Sequence, residues 1–181
     1  GEGVAQSFNE AVKWYKKAAQ KGNARAEATL GVMYYNGNGV PKKLSEAVKL
    51  FRNSAERGNS MGQLWLGFMY AKGEGVSEND KEAVEWYRKA AEQENPVAQF
   101  RLGLMYFTGE GVTKDESIAL KWYRKSADNG NANAQYNLAE MYLAGKAVPQ
   151  DYVEAFNLFT NAAQQGHAAA QGRLGFMYCN G

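Results

Sequence analysis

The chain has 181 residues, 45% of them hydrophobic and 13% aromatic, which is too apolar for a disordered chain and sufficient for a folded core. A formal net charge of +2 selects neither an acidic nor a basic partner, and a single cysteine, Cys179, cannot close an internal disulfide, so redox chemistry does not decide the compartment. No apolar run approaches the roughly 18–20 residues that crossing a bilayer requires.

The first predicted helix covers Ser7 to Lys21. Ala11, Val12, Trp14, Tyr15, Ala18 and Ala19 form one broad apolar face, and Lys13, Lys16, Lys17 and Gln20 fall on the other side. Gly22 supplies a left-handed stop, and Asn23 is a good N-cap for the next helix. That second helix runs from about Ala24 to Asn36, with Ala26, Leu30, Met33 and Tyr34 on its buried side. Gly37 ends it at an expected positive φ. In the following loop Val40 is the one apolar residue and reads as a plug over the core, and Pro41 prevents helix continuation.

This unit returns every 36 residues. Gly1-Glu2-Gly3-Val4 is repeated at Gly37 to Val40, Gly73 to Val76, Gly109 to Val112 and Gly145 to Val148. Leu30-Gly31-Val32-Met33-Tyr34 is repeated at Leu66 to Tyr70, Leu102 to Tyr106, Leu138 to Tyr142 and Leu174 to Tyr178. No insertion breaks the register. A fixed period of this size predicts an all-α solenoid in which each unit buries its apolar face against its neighbours. We therefore expect one continuous array over residues 1–181. The chain begins and ends at the same loop position, and reads as an excerpt from a longer protein.

The turn chemistry holds through the later copies: Gly58-Asn59, Gly130-Asn131, and Glu94-Asn95-Pro96, where the glycine is lost and Pro96 falls on the first helical position. Gly31, Gly67, Gly103 and Gly175 lie mid-helix, where each costs roughly 1 kcal/mol relative to alanine. Close crossing of helix backbones against the small residues Ala11, Ala47, Ala83, Ala119 and Ala155 is the expected reason. The fourth unit has Ala139 instead.

Three segments carry a resemblance: Ala24-Arg25-Ala26 through Tyr34, Gly37 through Val40, and Ala83 through Ala91 with Trp86 and Tyr87. They resemble the Sel-one-like repeat family, a helical-pair relative of tetratricopeptide repeats, over essentially the whole chain. The resemblance implies a right-handed α/α solenoid of five helix hairpins. It implies an adaptor that assembles other proteins, as family members do in bacterial signalling, envelope processes, host contact and eukaryotic protein degradation. Similarity to tetratricopeptide arrays further implies that the Leu-Gly-x-Met-Tyr helices line a concave groove. A cysteine-rich bacterial branch pairs cysteines within repeats, and this chain departs from it. No cofactor is expected. Periplasmic, secreted and cytoplasmic locations all remain open.

Positions 25, 28, 29, 32, 35 and 36 of the second helix, and their equivalents, differ from unit to unit while the packing positions hold still. From this stripe we expect a partner protein or peptide to meet Arg25, Tyr35, Trp65, Phe68, Lys72, Phe100, Arg101, Phe107, Tyr136, Glu140, Arg173 and Phe176. Trp65 and Arg101 are the expected anchors, since Trp, Tyr and Arg dominate binding hot spots. At positions 28 and 32, packing between units competes with that reading.

Other chemistry is sparse. Lys13, Lys16, Lys17, Lys49, Arg52, Arg88, Lys89, Lys121, Arg124 and Lys125 form a basic stripe, readable as a nucleic-acid ridge or as a solvated helix face. The stripe fades at Asn157, Thr160 and Asn161. His167 and Cys179 lie near opposite ends of one predicted helix, about 18 Å apart at about 1.5 Å per residue, too far for a catalytic dyad. His167 fills the slot taken by Asn in other units and is expected to cap. One His and one Cys cannot build a zinc site, and the Gly-x-Gly loop follows a helix rather than a strand. The rival reading is an enzyme acting on cell-wall or β-lactam substrates, as proposed for the cysteine-rich relatives. End units could also stack on a second copy.

Overall fold

A computed structural model describes residues 7–180. These form ten helices of equal length: α1 (Phe8–Gln20), α2 (Ala24–Asn36), α3 (Leu44–Glu56), α4 (Ser60–Lys72), α5 (Asp80–Glu92), α6 (Pro96–Thr108), α7 (Glu116–Asp128), α8 (Ala132–Ala144), α9 (Tyr152–Gln164) and α10 (Ala168–Asn180). Consecutive helices pack together, giving an all-α repeat solenoid. The chain divides into two compact units, Gly1–Ala90 and Ala91–Gly181.

Local chemistry sets the helix boundaries. Asn23, Asn59, Asn95 and Asn131 accept backbone N–H groups of α2, α4, α6 and α8 through their side-chain oxygens. His167 does the same for α10, its Nδ1 accepting from Ala170 N–H at 3.2 Å. Gly37, Gly73, Gly109 and Gly145 end the even-numbered helices in the left-handed conformation. Among the described residues two non-glycine residues adopt positive φ: Glu94 (60°) and Ala147 (55°). Both stand where the register elsewhere uses glycine, and both accept the cost of a Cβ in that region.

In the first unit, Val12, Leu30, Met33 and Leu50 form one core layer, and Ala47, Val48, Phe51, Ala55, Leu66 and Met69 the next. In the second unit the core runs from Ala119 and Tyr123 through Leu138 and Met141 to Phe159 and Ala170. The more extensive pairing joins an even-numbered helix to the odd-numbered helix after it (α2 with α3, α6 with α7, α8 with α9). The hairpin read from sequence, odd helix first, is the looser of the two pairings.

The mid-helix glycines have a different cause from the expected backbone crossing. A Cβ at Gly31 would meet the Phe51 ring at 2.6 Å, one at Gly67 the Tyr87 ring at 2.8 Å, and one at Gly103 the Tyr123 ring at 2.8 Å. Each glycine seats an aromatic ring from the next odd-numbered helix. Gly67 also approaches a backbone oxygen, that of Ala83, at 3.2 Å, so close backbone approach contributes there.

Polar stitches repeat with the same period. The side-chain amides of Gln63, Gln99, Gln135 and Gln171 donate to the carbonyls of Ala55, Ala91, Ala127 and Ala163. Ser54 and Ser126 hydroxyls donate to the Ala24 and Pro96 carbonyls at 2.6 Å. Glu27 takes the glutamine slot in the preceding repeat, buried, with Arg57 Nε 3.5 Å from its carboxylate.

Candidate binding surface

The odd-numbered helices bury Phe51, Tyr87, Tyr123 and Phe159 at one register. Within each unit these rings form a floor, and the even-numbered helices place the variable side chains above it.

In the first unit the floor is Phe51. The Trp65 indole lies parallel on it, with ring centroids 5.4 Å apart and planes 9° from parallel. Tyr35 and Phe68 close on the indole at 5.3 and 5.6 Å, and Tyr35 meets Phe68 edge-on at 6.0 Å. Lys42 Nζ sits 5.2 Å from the Tyr35 ring centroid. Burial and then the Glu74 carboxylate push the Tyr35 phenol up from its ordinary pKa. All three rings of this cluster are half-buried. Trp65 is therefore half-buried and packs one ring face on Phe51.

In the second unit the floor is Tyr123, with Phe100 at 5.9 Å and Phe107 at 6.3 Å. A cleft of about 440 Å³ opens between α6 and α8, walled by Leu104, Phe107, Met141 and Glu140, with Tyr123 and Asn137 beneath. Lys114 and Lys146 each stand 5.8 Å from the Phe107 ring centroid. The Tyr123 hydroxyl is buried and no hydrogen bond of good geometry reaches it. Burial pushes its pKa up to about 12, opposed by the nearby Asn137 amide. Beyond the cleft, Glu140 accepts two hydrogen bonds from Arg173, at 2.7 and 2.9 Å. That carboxylate holds the Arg173 guanidinium more firmly protonated than usual. Tyr136 packs on Phe159 at 5.6 Å and stacks on His167 at 4.8 Å.

The structure thus gathers Tyr35, Trp65 and Phe68 into one cluster, places Phe100 and Phe107 around Tyr123, and pairs Glu140 with Arg173. Arg101 lies over Phe100, 5.9 Å from its centroid. Arg25 and Lys72 are exposed and join no cluster. Phe176 is 63% exposed. Trp65 and Phe107 are neither sealed nor free. The sequence reading omitted Tyr123 and Lys146 from the surface. Tyr123 shares a period with Phe51, so alignment of the repeats could have marked it, but its unpartnered hydroxyl could not be seen that way.

The basic stripe is tied to rings. Arg52 and Arg124 guanidinium groups donate to the Tyr70 and Tyr142 hydroxyls at 2.8 and 2.7 Å. Lys17, Lys89 and Lys125 sit over Trp14, Trp86 and Trp122 at 4.5, 4.0 and 4.8 Å. Among the described residues no group of three or more His, Cys, Asp or Glu could hold a metal ion, and no helix is long and apolar enough to cross a membrane.

The Sel1 repeat family model matches residues 1–23, 24–59, 60–95, 96–131, 132–167 and 168–181. The chain belongs to the Sel1 repeat family. The matched unit starts at an even-numbered helix and so coincides with the more extensive pairing in the structure. A protective antigen present in uropathogenic Escherichia coli strains, with the same repeat fold, is 48% identical, with a TM-score of 0.88 over 98% of this chain and 38% of that one. This Sel1 chain therefore spans well under half the length of that relative. A Sel1 repeat protein from Oxalobacter formigenes is 37% identical, with a TM-score of 0.93 over 98% of this chain and 73% of that one. An immunity protein from Pseudomonas aeruginosa, 24% identical with a TM-score of 0.64 over 93% of this chain and 62% of that one, shares the fold. No curated protein matches the chain.

Proposed function

We propose that this Sel1 repeat chain is a non-enzymatic scaffold that binds a partner protein or peptide along the open face of its even-numbered helices. The observation that carries this reading is the half-open cluster of Tyr35, Trp65 and Phe68 over Phe51. Rigid rings fixed from below need little ordering when a partner arrives, so more of the contact energy appears as affinity. Phe100, Phe107, Tyr136 and Phe176 continue the aromatic character, and Arg25, Lys72, Arg101, Glu140 and Arg173 supply charges that set register. His167 supports the non-enzymatic reading, because its Nδ1 is committed to capping α10 and its ring to stacking on Tyr136.

The test is partner capture followed by titration. Phe68→Ala and Tyr35→Ala should each weaken binding of the captured partner at least tenfold, with melting curves that remain cooperative. Lys49→Ala, on an exposed residue of α3, should leave affinity unchanged. Equal affinity for folded Phe68→Ala and the parent chain would overturn the assignment.

A further inference from the structure

Two repeats separate Trp65 from Asn137, so the two units can be compared residue by residue at a shift of 72 positions. Phe51 corresponds to Tyr123, Tyr35 to Phe107, Val32 to Leu104, Met69 to Met141 and Gly31 to Gly103. The floor, the wall and the seating glycine are retained. Four positions of the lining change character: Trp65 becomes Asn137, Phe68 becomes Glu140, Lys72 becomes Ala144 and Glu74 becomes Lys146. In the first unit the space above the floor is filled by the indole of Trp65 itself. In the second unit it is an open cleft of about 440 Å³, within the size range of ordinary ligand sites. At the register after that, Arg173 takes the position and reaches across to Glu140.

A second observation points to a ligand. The Tyr123 hydroxyl lies beneath this cleft, buried and without a hydrogen bond of good geometry. Native proteins seldom leave such a group unpaired, since losing its partner costs about 1–3 kcal/mol. Asn137 beside it carries both a donor and an acceptor. Turned toward an incoming N–H, its Oδ1 can accept while its Nδ2 donates to the Tyr123 oxygen.

We propose that the cleft between α6 and α8 is an anchor site for an aromatic side chain with a polar ring atom, tryptophan above all, carried by the bound peptide or protein. The inference rests on the scaffold reading above and names what that surface recognises. The incoming ring lies over Tyr123 as Trp65 lies over Phe51, with its flank against Phe107, Leu104 and Met141. The indole N–H meets Asn137. The chain thus supplies the ring in one unit and accepts it in the other.

The experiment uses the whole chain and N-acetyl-L-tryptophanamide as probe, followed by the side-chain amide signals of Asn137 in nuclear magnetic resonance. The expected result is a saturable shift in the millimolar range, with N-acetyl-L-leucinamide at least fivefold weaker. Asn137→Trp should fill the cleft from within, melt no earlier than the parent, and weaken the probe at least tenfold as read from Phe107 and Leu104 signals. Should that variant fold poorly, Asn137→Leu decides: it preserves bulk, removes both polar atoms and should cost the tryptophan probe at least threefold. No saturable shift, or full binding by both variants, overturns the site. Partner affinity that survives Asn137→Trp but falls with Phe68→Ala overturns the anchor and leaves the scaffold standing. Partner affinity lost in neither variant removes the scaffold reading as well.

Discussion

Trp65 lies flat on Phe51, within 9° of parallel, and so joins the surface of the first unit to its buried floor. Replacing it therefore does two things. Trp65→Ala should remove partner contact and also uncover Phe51, costing about 2–4 kcal/mol of stability from lost burial and ring stacking. Chemical denaturation measures it. Loss of affinity with unchanged stability would mean that the indole is held more loosely than the stack implies.

The seating glycines give a prediction of opposite signs at equivalent positions. Alanine is preferred to glycine within a helix by about 1 kcal/mol. A Cβ at Gly175 meets nothing within 4 Å, so Gly175→Ala should stabilise by about 0.5–1 kcal/mol. The same Cβ at Gly103 would sit 2.8 Å from the Tyr123 ring, and displacing a packed ring costs about 1–3 kcal/mol. Gly103→Ala should therefore lower the melting temperature while Gly175→Ala raises it. Two shifts of the same sign would refute the seating argument.

Glu94 holds a left-handed conformation, φ 60°, at the turn where Gly22, Gly58, Gly130 and Gly166 serve the other repeats. A side chain there costs about 1–2 kcal/mol, partly offset by the greater freedom glycine has when unfolded. Glu94→Gly should stabilise by about 0.5–1 kcal/mol in thermal melts. A neutral or negative result would show that the Glu94 side chain makes a compensating contact.

Alkaline titration examines Tyr123. Its phenol rises from an ordinary value of 10.0 to about 12 in the folded chain because burial disfavours the phenolate. The folded state therefore holds this proton more tightly than the unfolded state. The associated stability is fully present below pH 10 and is lost as pH rises through 12, about 2–3 kcal/mol in all. Tyr123→Phe removes the unpaired hydroxyl and should be about 1–3 kcal/mol more stable than the parent at pH 7, an advantage that widens between pH 10 and 12. Parallel pH profiles for the two chains would contradict it.

The repeat, the helix limits and the caps were legible in sequence because short-range chemistry decides them. Asn23 and Gly37 act on neighbours within a few residues, and a 36-residue period repeats the message. The seating of Phe51 against Gly31 was not legible. Periodicity shows that both recur, but not which of several small or large neighbours meets which across two helices. The surface was half legible. The variable stripe marked Trp65 and Phe107 as positions that differ between repeats, and the structure adds how far each sinks toward its floor. The pairing of Glu140 with Arg173 joins residues 33 apart, close to one period, and nothing in their spacing distinguishes a bond from mere adjacency.

Trp65, Asn137 and Arg173 occupy one position in three different rungs, the first above Phe51, the second beside Tyr123 and the third paired with Glu140. Composition at that position can drift while the ladder stays upright. On the scaffold reading, a new specificity needs one changed residue at that position and no new architecture.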